Sequence, residues 1–126
     1  MEALVVDDSK AMRTILKRIV SQCGFEVCHE ATDGLAALRS LHDGVRPRLV
    51  LVDYNMPEMN GIEFVAAMRT NPEFHDVTVI MITTETSIER MEQALAAGAD
   101  EYVMKPFTPD VLIDKLELAG VATVSA

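Results

Sequence analysis

Short apolar runs alternate with stretches of helical periodicity along the whole chain. Leu49-Val50-Leu51-Val52 is the clearest run: four aliphatic residues with no polar position between them. Such a run predicts a strand buried on both faces, as in a parallel sheet. It stops on Asp53, and Pro57 cannot continue a central strand. Ala3–Val6, Phe25–Ala31, Val77–Ile82 and Tyr102–Met104 read as the other strands, the Phe25 run alternating so that Phe25, Val27 and His29 share a face. Between them, Ser9 caps a helix with Met12, Ile15, Leu16 and Ile19 at helical spacing, and Gly24 stops it. Asp33-Gly34 turns into a helix carrying Leu35, Leu38 and Leu41 and ending near Gly44. Asn60 with Glu63 forms a capping box ahead of inward-facing Ile62, Val65 and Ala66, and Asn71-Pro72 ends that helix. Thr86 with Glu89 predicts another box, opening a helix with Ile88, Met91 and Leu95 inward and Gly98 at its close. Thr108 and Pro109 start the last helix, with Leu112, Leu116 and Ala119 on one face. Gly120 to Ala126 reads as a small-residue tail.

Five strands alternating with five helices predict one α/β domain, a doubly wound parallel sheet covered on both faces. The strand ends then become comparable. Strand one ends on Asp7 and Asp8, strand three on Asp53, strand four on Thr83 and strand five on Lys105, whereas strand two ends on Ala31-Thr32 with nothing reactive. An edge position for strand two, with strand one beside strand three, gathers every polar end into one crevice. That is the order 2-1-3-4-5, with its switch point between strands one and three.

Composition narrows the partners. A chain of 126 residues, 49% hydrophobic and 25% charged, fits one domain with a core of its own. The net charge of −9 argues against direct nucleic-acid binding. No apolar run approaches the roughly 20 residues of a membrane span, so membrane insertion is not expected. Met1-Glu2 leads straight into a strand without a signal peptide, which predicts a cytoplasmic setting. Cys23 and Cys28 read as structural thiols, and His29, His42 and His75 share no ligand spacing. Met12, Met68, Met81 and Met91 fall on apolar faces, whereas Met56 and Met59 flank the Asp53 loop as adaptable surface groups.

Three carboxylates gathered at one crevice repel one another and invite a hard divalent cation, Mg²⁺ first and Mn²⁺ as a substitute. An aspartate beside such an ion can attack a phosphoryl group, Lys105 can neutralise the transferring charge, and the Thr83 hydroxyl can donate to it. Each signal has a plainer reading when taken singly: a structural Lys–Asp ion pair, a strand-ending threonine, an aspartate pair capping a helix. A Mg²⁺-dependent phosphatase-like or dehalogenase-like hydrolase also uses a strand-end aspartate with Thr and Lys. It needs a second aspartate as general acid, where this chain has Asn55, and a cap domain.

Over residues 3 to about 119 the chain resembles the receiver domains of two-component response regulators, most of all single-domain chemotaxis regulators. The resemblance rests on Val6-Asp7-Asp8, on Asp53 with Met56-Pro57 and Gly61, on Thr83, and on Lys105-Pro106. It implies a flavodoxin-like sheet of order 2-1-3-4-5, an order for which the chemotaxis regulator is itself a standard case. It divides the chain into a receiver domain, 1–120, and a tail, 121–126. It implies that Asp53 is the phosphoacceptor, served by a histidine kinase or a small acyl phosphate. Asp8 and Asp53 would bind Mg²⁺ directly, Asp7 through water and Asn55 through its backbone carbonyl, with Thr83 and Lys105 on the phosphoryl group. Tyr102 matches a switch aromatic that turns inward, and Lys105-Pro106 matches a cis bond. Asn55 and Glu85 match pocket-tuning positions of the chemotaxis regulators. Thr84 departs from the usual small Ala or Gly and brings bulk to the pocket. The implied output is a change on the face of helix four, strand five and helix five, where Glu89, Glu92 and Lys115 lie. That face would control a downstream protein target or meet a phosphatase, with chemotaxis or the flagellar motor as the first expectation. The protein would be a monomer, able to dimerise on activation, and no enzyme beyond its own phosphotransfer and autodephosphorylation. An excised receiver of a larger multidomain regulator is the alternative, ahead of the hydrolase.

Overall fold

The computed structural model describes residues 1–121. Its strands are β1 (Glu2–Val6), β2 (Val27–Ala31), β3 (Leu49–Val52), β4 (Thr78–Thr83) and β5 (Glu101–Met104). Its helices are α1 (Lys10–Gln22), α2 (Gly34–His42), α3 (Gly61–Arg69), α4 (Ile88–Ala97) and α5 (Pro109–Leu118), with a single 3₁₀ turn at Pro72–Phe74. All strand pairs are parallel and the order is β2-β1-β3-β4-β5, the doubly wound arrangement that the strand ends predict. No helix among the described residues is long and apolar enough to cross a membrane.

Alternate side chains of each strand feed two cores. Leu4, Val6, Val50, Val52, Val79 and Met81 pack under α2, α3 and α4 with Phe64, Val65 and Met68. Ala3, Val5, Leu49, Leu51, Ile80 and Ile82 pack on the other face with Leu16, Ile19, Leu112 and Leu116 of α1 and α5. β3 is completely covered, as an unbroken aliphatic run requires. Cys23 is buried and Cys28 half-buried, neither in a disulfide. Met68 and Met81 are core residues, while Met12 and Met91 sit partly covered at its margin. Met56 and Met59 are also partly buried, packed on the first core rather than free at the surface.

Several local readings change. β2 begins at Val27, with Phe25 buried in the preceding loop and Val27 exposed, because an edge strand lacks cover on one side. The helix α3 does carry the Asn60–Glu63 capping box, but Ala66 is exposed and Phe64 and Met68 take the inward positions. Asn71 caps the Pro72–Phe74 turn, which tucks Phe74 into the first core. The α4 helix is capped by Ser87, whose hydroxyl accepts from the Arg90 N–H, and not by Thr86. The inward positions turn with it: Ala94 is buried, whereas Ile88 is 72% and Leu95 45% exposed. Thr108 stands at the α5 cap position without a side-chain hydrogen bond, leaving Pro109 to set the start. Val121 is buried against the second core, and the remainder of the predicted tail, 122–126, lies outside the described residues.

Candidate functional site

The strand register places the site. Val6 lies opposite Val52, so the residues that follow them, Asp7 and Asp53, meet at the same edge of the sheet. Thr83 lies opposite Met104, which brings Lys105 to that edge from the other side. Backbone bonds continue the ladder one step beyond the strands: Asp7 N–H to Ala31 O, Asp53 N–H to Val6 O, and Lys105 N–H to Thr83 O at 2.8 Å.

Asp7 is 1% exposed and is held on both carboxylate oxygens, one accepting from the Ser9 N–H (2.8 Å) and the other from Lys105 Nζ (2.8 Å). Arg13 donates to the Asp7 carbonyl oxygen and to Glu30, fixing the end of β1 from α1. Asp53 is 7% exposed; one oxygen accepts from the Asn55 N–H (3.1 Å) and the other from Lys105 Nζ (3.0 Å). Burial alone would lower the Lys105 pKa, but the two carboxylates outweigh it and hold the ammonium above its ordinary value. Gly61 lies directly behind: a Cβ there would stand 2.4 Å from the Asp53 carbonyl oxygen. The sequence needs glycine at this point for a close approach of backbone to backbone.

Asp8 differs from its neighbours. It is exposed and has no hydrogen-bond or ion-pair partner among the described residues, yet Asp7, Asp8 and Asp53 each bring an oxygen within 4.8 Å of the others. Three carboxylates beside one ammonium leave two negative charges unbalanced at a half-open site. An all-oxygen donor set of that charge suits Mg²⁺ or Mn²⁺, since hard cations take carboxylate and water oxygens. The residues present therefore fit the ion.

Thr83 is fully buried and its hydroxyl accepts from the Glu85 N–H (3.2 Å) and from Asn55 Nδ2 (3.4 Å). The same Asn55 amide reaches Thr84 Oγ1 at 3.5 Å, so the exposed Thr84 stands at the rim and shares a donor with Thr83. Tyr102 is 9% exposed, turned inward, with its hydroxyl donating to the Glu85 carbonyl oxygen at 2.7 Å. Burial, and then the nearby Glu85 charge, push its hydroxyl above the usual pKa. Glu85 therefore ties the threonine to the aromatic. Of the predicted output-face charges, Glu89 and Glu92 are exposed, and Lys115 pairs with Glu101 at 3.2 Å.

Sequence reasoning missed two groups. Arg90, in the first turn of α4, lies over the Tyr54 ring at 4.6 Å from its centroid. Arg69 donates to the Gly98 and Phe74 carbonyl oxygens and to Asp100, clamping α3 to the α4–β5 turn. Neither contact has a local signature. A cation near the start of a helix, where the dipole disfavours it, was the one available sign for Arg90.

Comparison with known proteins agrees with this geometry. The family described as response regulator receiver domain matches residues 3–117. The chain is similar to chemotaxis protein CheY1 of Helicobacter pylori, 43% identical over 94% of this chain and 95% of that one. It is also similar to chemotaxis protein CheY of Pseudomonas aeruginosa, 41% identical over 93% and 94% of the two chains. Among solved structures, the Vibrio cholerae chemotaxis protein CheY4 superimposes with a TM-score of 0.85 at 34% identity, covering 94% of this chain and 97% of that one.

Proposed function

Because the chain belongs to the response regulator receiver domain family of two-component systems, we propose that it is a phosphorylation-dependent signalling switch with Asp53 as the acceptor. The observation that carries this reading is the Lys105 ammonium bridging Asp7 and Asp53 beside the unpaired Asp8. Asp53 presents one oxygen to Lys105 and the other to a backbone N–H, which orients the carboxylate without taking up all its lone pairs. A phosphohistidine of a histidine kinase, or a small acyl phosphate, supplies the phosphoryl group. A carboxylate oxygen of Asp53 attacks phosphorus and the donor leaves with its bonding pair. Lys105 then offers its ammonium to a phosphoryl oxygen, and the Thr83 hydroxyl, which already accepts two hydrogen bonds, has its own proton free to donate. Asp8 and Asp53 would hold Mg²⁺, with Asp7 and Asn55 in support, and the bound ion would supply neutralisation of the negative charge gathered at the site.

The added charge, roughly two units, biases an element already built for two positions. Drawing Thr83 toward the phosphoryl group pulls on Glu85, whose N–H it accepts and whose carbonyl holds Tyr102. The face of α4, β5 and α5 reads that shift out. Exposed Ile88, Leu95, Met104 and Val111 on these elements give it apolar surface for a protein partner. Relatives named as chemotaxis proteins support a chemotaxis-type output, for which our reading is a protein partner of flagellar-motor type in a cytoplasmic setting. The chemistry stops at the protein's own phosphorylation and dephosphorylation. Incubation with acetyl phosphate and Mg²⁺ should label one site per chain, with no sustained turnover of p-nitrophenyl phosphate. Sustained turnover of that ester, lost in Asp53→Asn, would replace the switch with a hydrolase.

A further inference from the structure

Every partly buried lysine or arginine among the described residues has a carboxylate in ion-pair range except one. Arg13 and Lys17 meet Glu30, Arg69 meets Asp100, Lys105 meets Asp7 and Asp53, and Lys115 meets Glu101. Arg90 is the exception. Its guanidinium donates to a neutral group, Gln93 Oε1 at 3.0 Å, and otherwise lies over the Tyr54 ring. On α4 itself Glu89 and Glu92 stand one and two residues away, spacings that do not face Arg90, so the helix offers it no carboxylate and the Tyr54 ring receives it instead. Its place in the first turn of α4 sets it against the helix dipole as well.

The ring that holds Arg90 belongs to the residue directly after Asp53. The charge is therefore kept on the residue next to Asp53 in the chain, by a contact weaker than a charge-assisted hydrogen bond to an oxyanion. Arg90 and Asp53 are also both close enough to act on the Tyr102 hydroxyl, with opposite signs.

We propose that Arg90 is a reserve cation for the anionic state of the site: an oxyanion mounted on Asp53 draws its guanidinium from the Tyr54 face. This rests on Asp53 being the acceptor. The ligand class is a phosphoryl group or its tetrahedral mimics, and the consequence is twofold. Arg90 lowers the free energy of the loaded state, and its movement carries the first turn of α4 with it. It binds the loaded state directly and takes no part in bond making.

The test is titration of wild type, Arg90→Met and Arg90→Lys with beryllofluoride in excess Mg²⁺, at low and at high ionic strength. The two tyrosines, in a chain without tryptophan, give the fluorescence readout. Methionine keeps an apolar stem over Tyr54 and removes the charge together with the hydrogen bond to Gln93. The expected result at low ionic strength is an affinity about fivefold to tenfold weaker for Arg90→Met, partly restored by Arg90→Lys. High ionic strength should narrow the gap, because a half-exposed charge pair is screened. Equal affinity of Arg90→Met and wild type at low ionic strength overturns the inference. So does an equal loss at both ionic strengths with no rescue by lysine, which would mark a packing role only. Wild type that fails to bind beryllofluoride at all overturns the acceptor reading itself and this inference with it.

Discussion

Gly61→Ala is the sharpest single perturbation of the site's framework. An alanine Cβ would stand 2.4 Å from the Asp53 carbonyl oxygen and 3.0 Å from both the Asp53 carbonyl carbon and Tyr54 Cα. The shortest common C···O approach is about 3.3 Å, so about 0.9 Å has to be found. The obstacles are backbone atoms and cannot rotate away. Asp53 is pinned by its N–H to Val6 O and its carboxylate to Lys105, so the start of α3 must move instead. That helix carries the buried Phe64, Val65 and Met68, and the Gly61 N–H bond to Tyr54 O (2.9 Å) would stretch. Overpacking of this kind costs about 1–3 kcal/mol, and a weakened hydrogen bond about 1 kcal/mol more. Alanine's narrower unfolded ensemble offsets about 0.4–1 kcal/mol. The net loss is about 1–3.5 kcal/mol, which with a urea m-value of about 1–3 kcal/mol/M lowers the unfolding midpoint by roughly 1 M. Circular dichroism in urea measures this, and a Mg²⁺ titration of the same variant reports whether Asp53 has moved. Gly44→Ala is the control: its φ is +112° and nothing lies within 4 Å, so it should carry only a backbone strain of about 1 kcal/mol and leave Mg²⁺ affinity unchanged. A Gly61→Ala midpoint equal to that of wild type, with unaltered Mg²⁺ affinity, would refute the close-approach argument.

Other consequences can be checked separately. Thr84→Ala frees Asn55 from one of its two threonine contacts and removes bulk from the rim, so phosphorylation by acetyl phosphate should accelerate; equal stopped-flow rates would remove Thr84 from the pocket's control. Asp8→Ala should weaken Mg²⁺ at least about tenfold and diminish the rise in Tm with Mg²⁺, while leaving the metal-free Tm unchanged or slightly higher, since Asp8 has no side-chain partner to lose among the described residues. Burial pushes the Cys28 thiol up to about 11, so at pH 8 only about one thiol in a thousand is thiolate. Native protein should therefore be alkylated by iodoacetamide about a hundredfold more slowly than unfolded protein at that pH. The direction of the linkage is that of an acid whose neutral form is favoured by folding: its contribution holds below the ordinary thiol pKa and is lost as pH rises above it. Rapid native labelling at pH 8 would contradict the burial of this thiol.

The sheet and its chemistry were legible because both are written at strand ends. A buried parallel strand shows as an unbroken aliphatic run, and the residue that stops it is by geometry at the rim, so Asp7, Asp53, Thr83 and Lys105 announced themselves together. What escaped depends on small angles or long separations. Ser87 rather than Thr86 caps α4, and the helix meets the sheet through Met91 and Ala94, which leaves Ile88 and Leu95 outside. A capping box can be spelled by several nearby Ser and Thr residues, and only packing against the sheet selects one. Ala66 misled because α3 touches the sheet through its larger neighbours Phe64 and Met68. The ties between Tyr102 and Glu85, and between Arg90 and Tyr54, join residues far apart in sequence, and periodicity carries no trace of them.

The central claim is that the cluster exists to let Asp53 carry a phosphoryl group. Intact-protein mass spectrometry after brief exposure to acetyl phosphate and Mg²⁺, run in parallel on wild type and Asp53→Asn, tests it directly. One phosphoryl increment on wild type, absent from Asp53→Asn and absent without Mg²⁺, is the predicted result. An equal increment on Asp53→Asn, or none on wild type, would contradict the account.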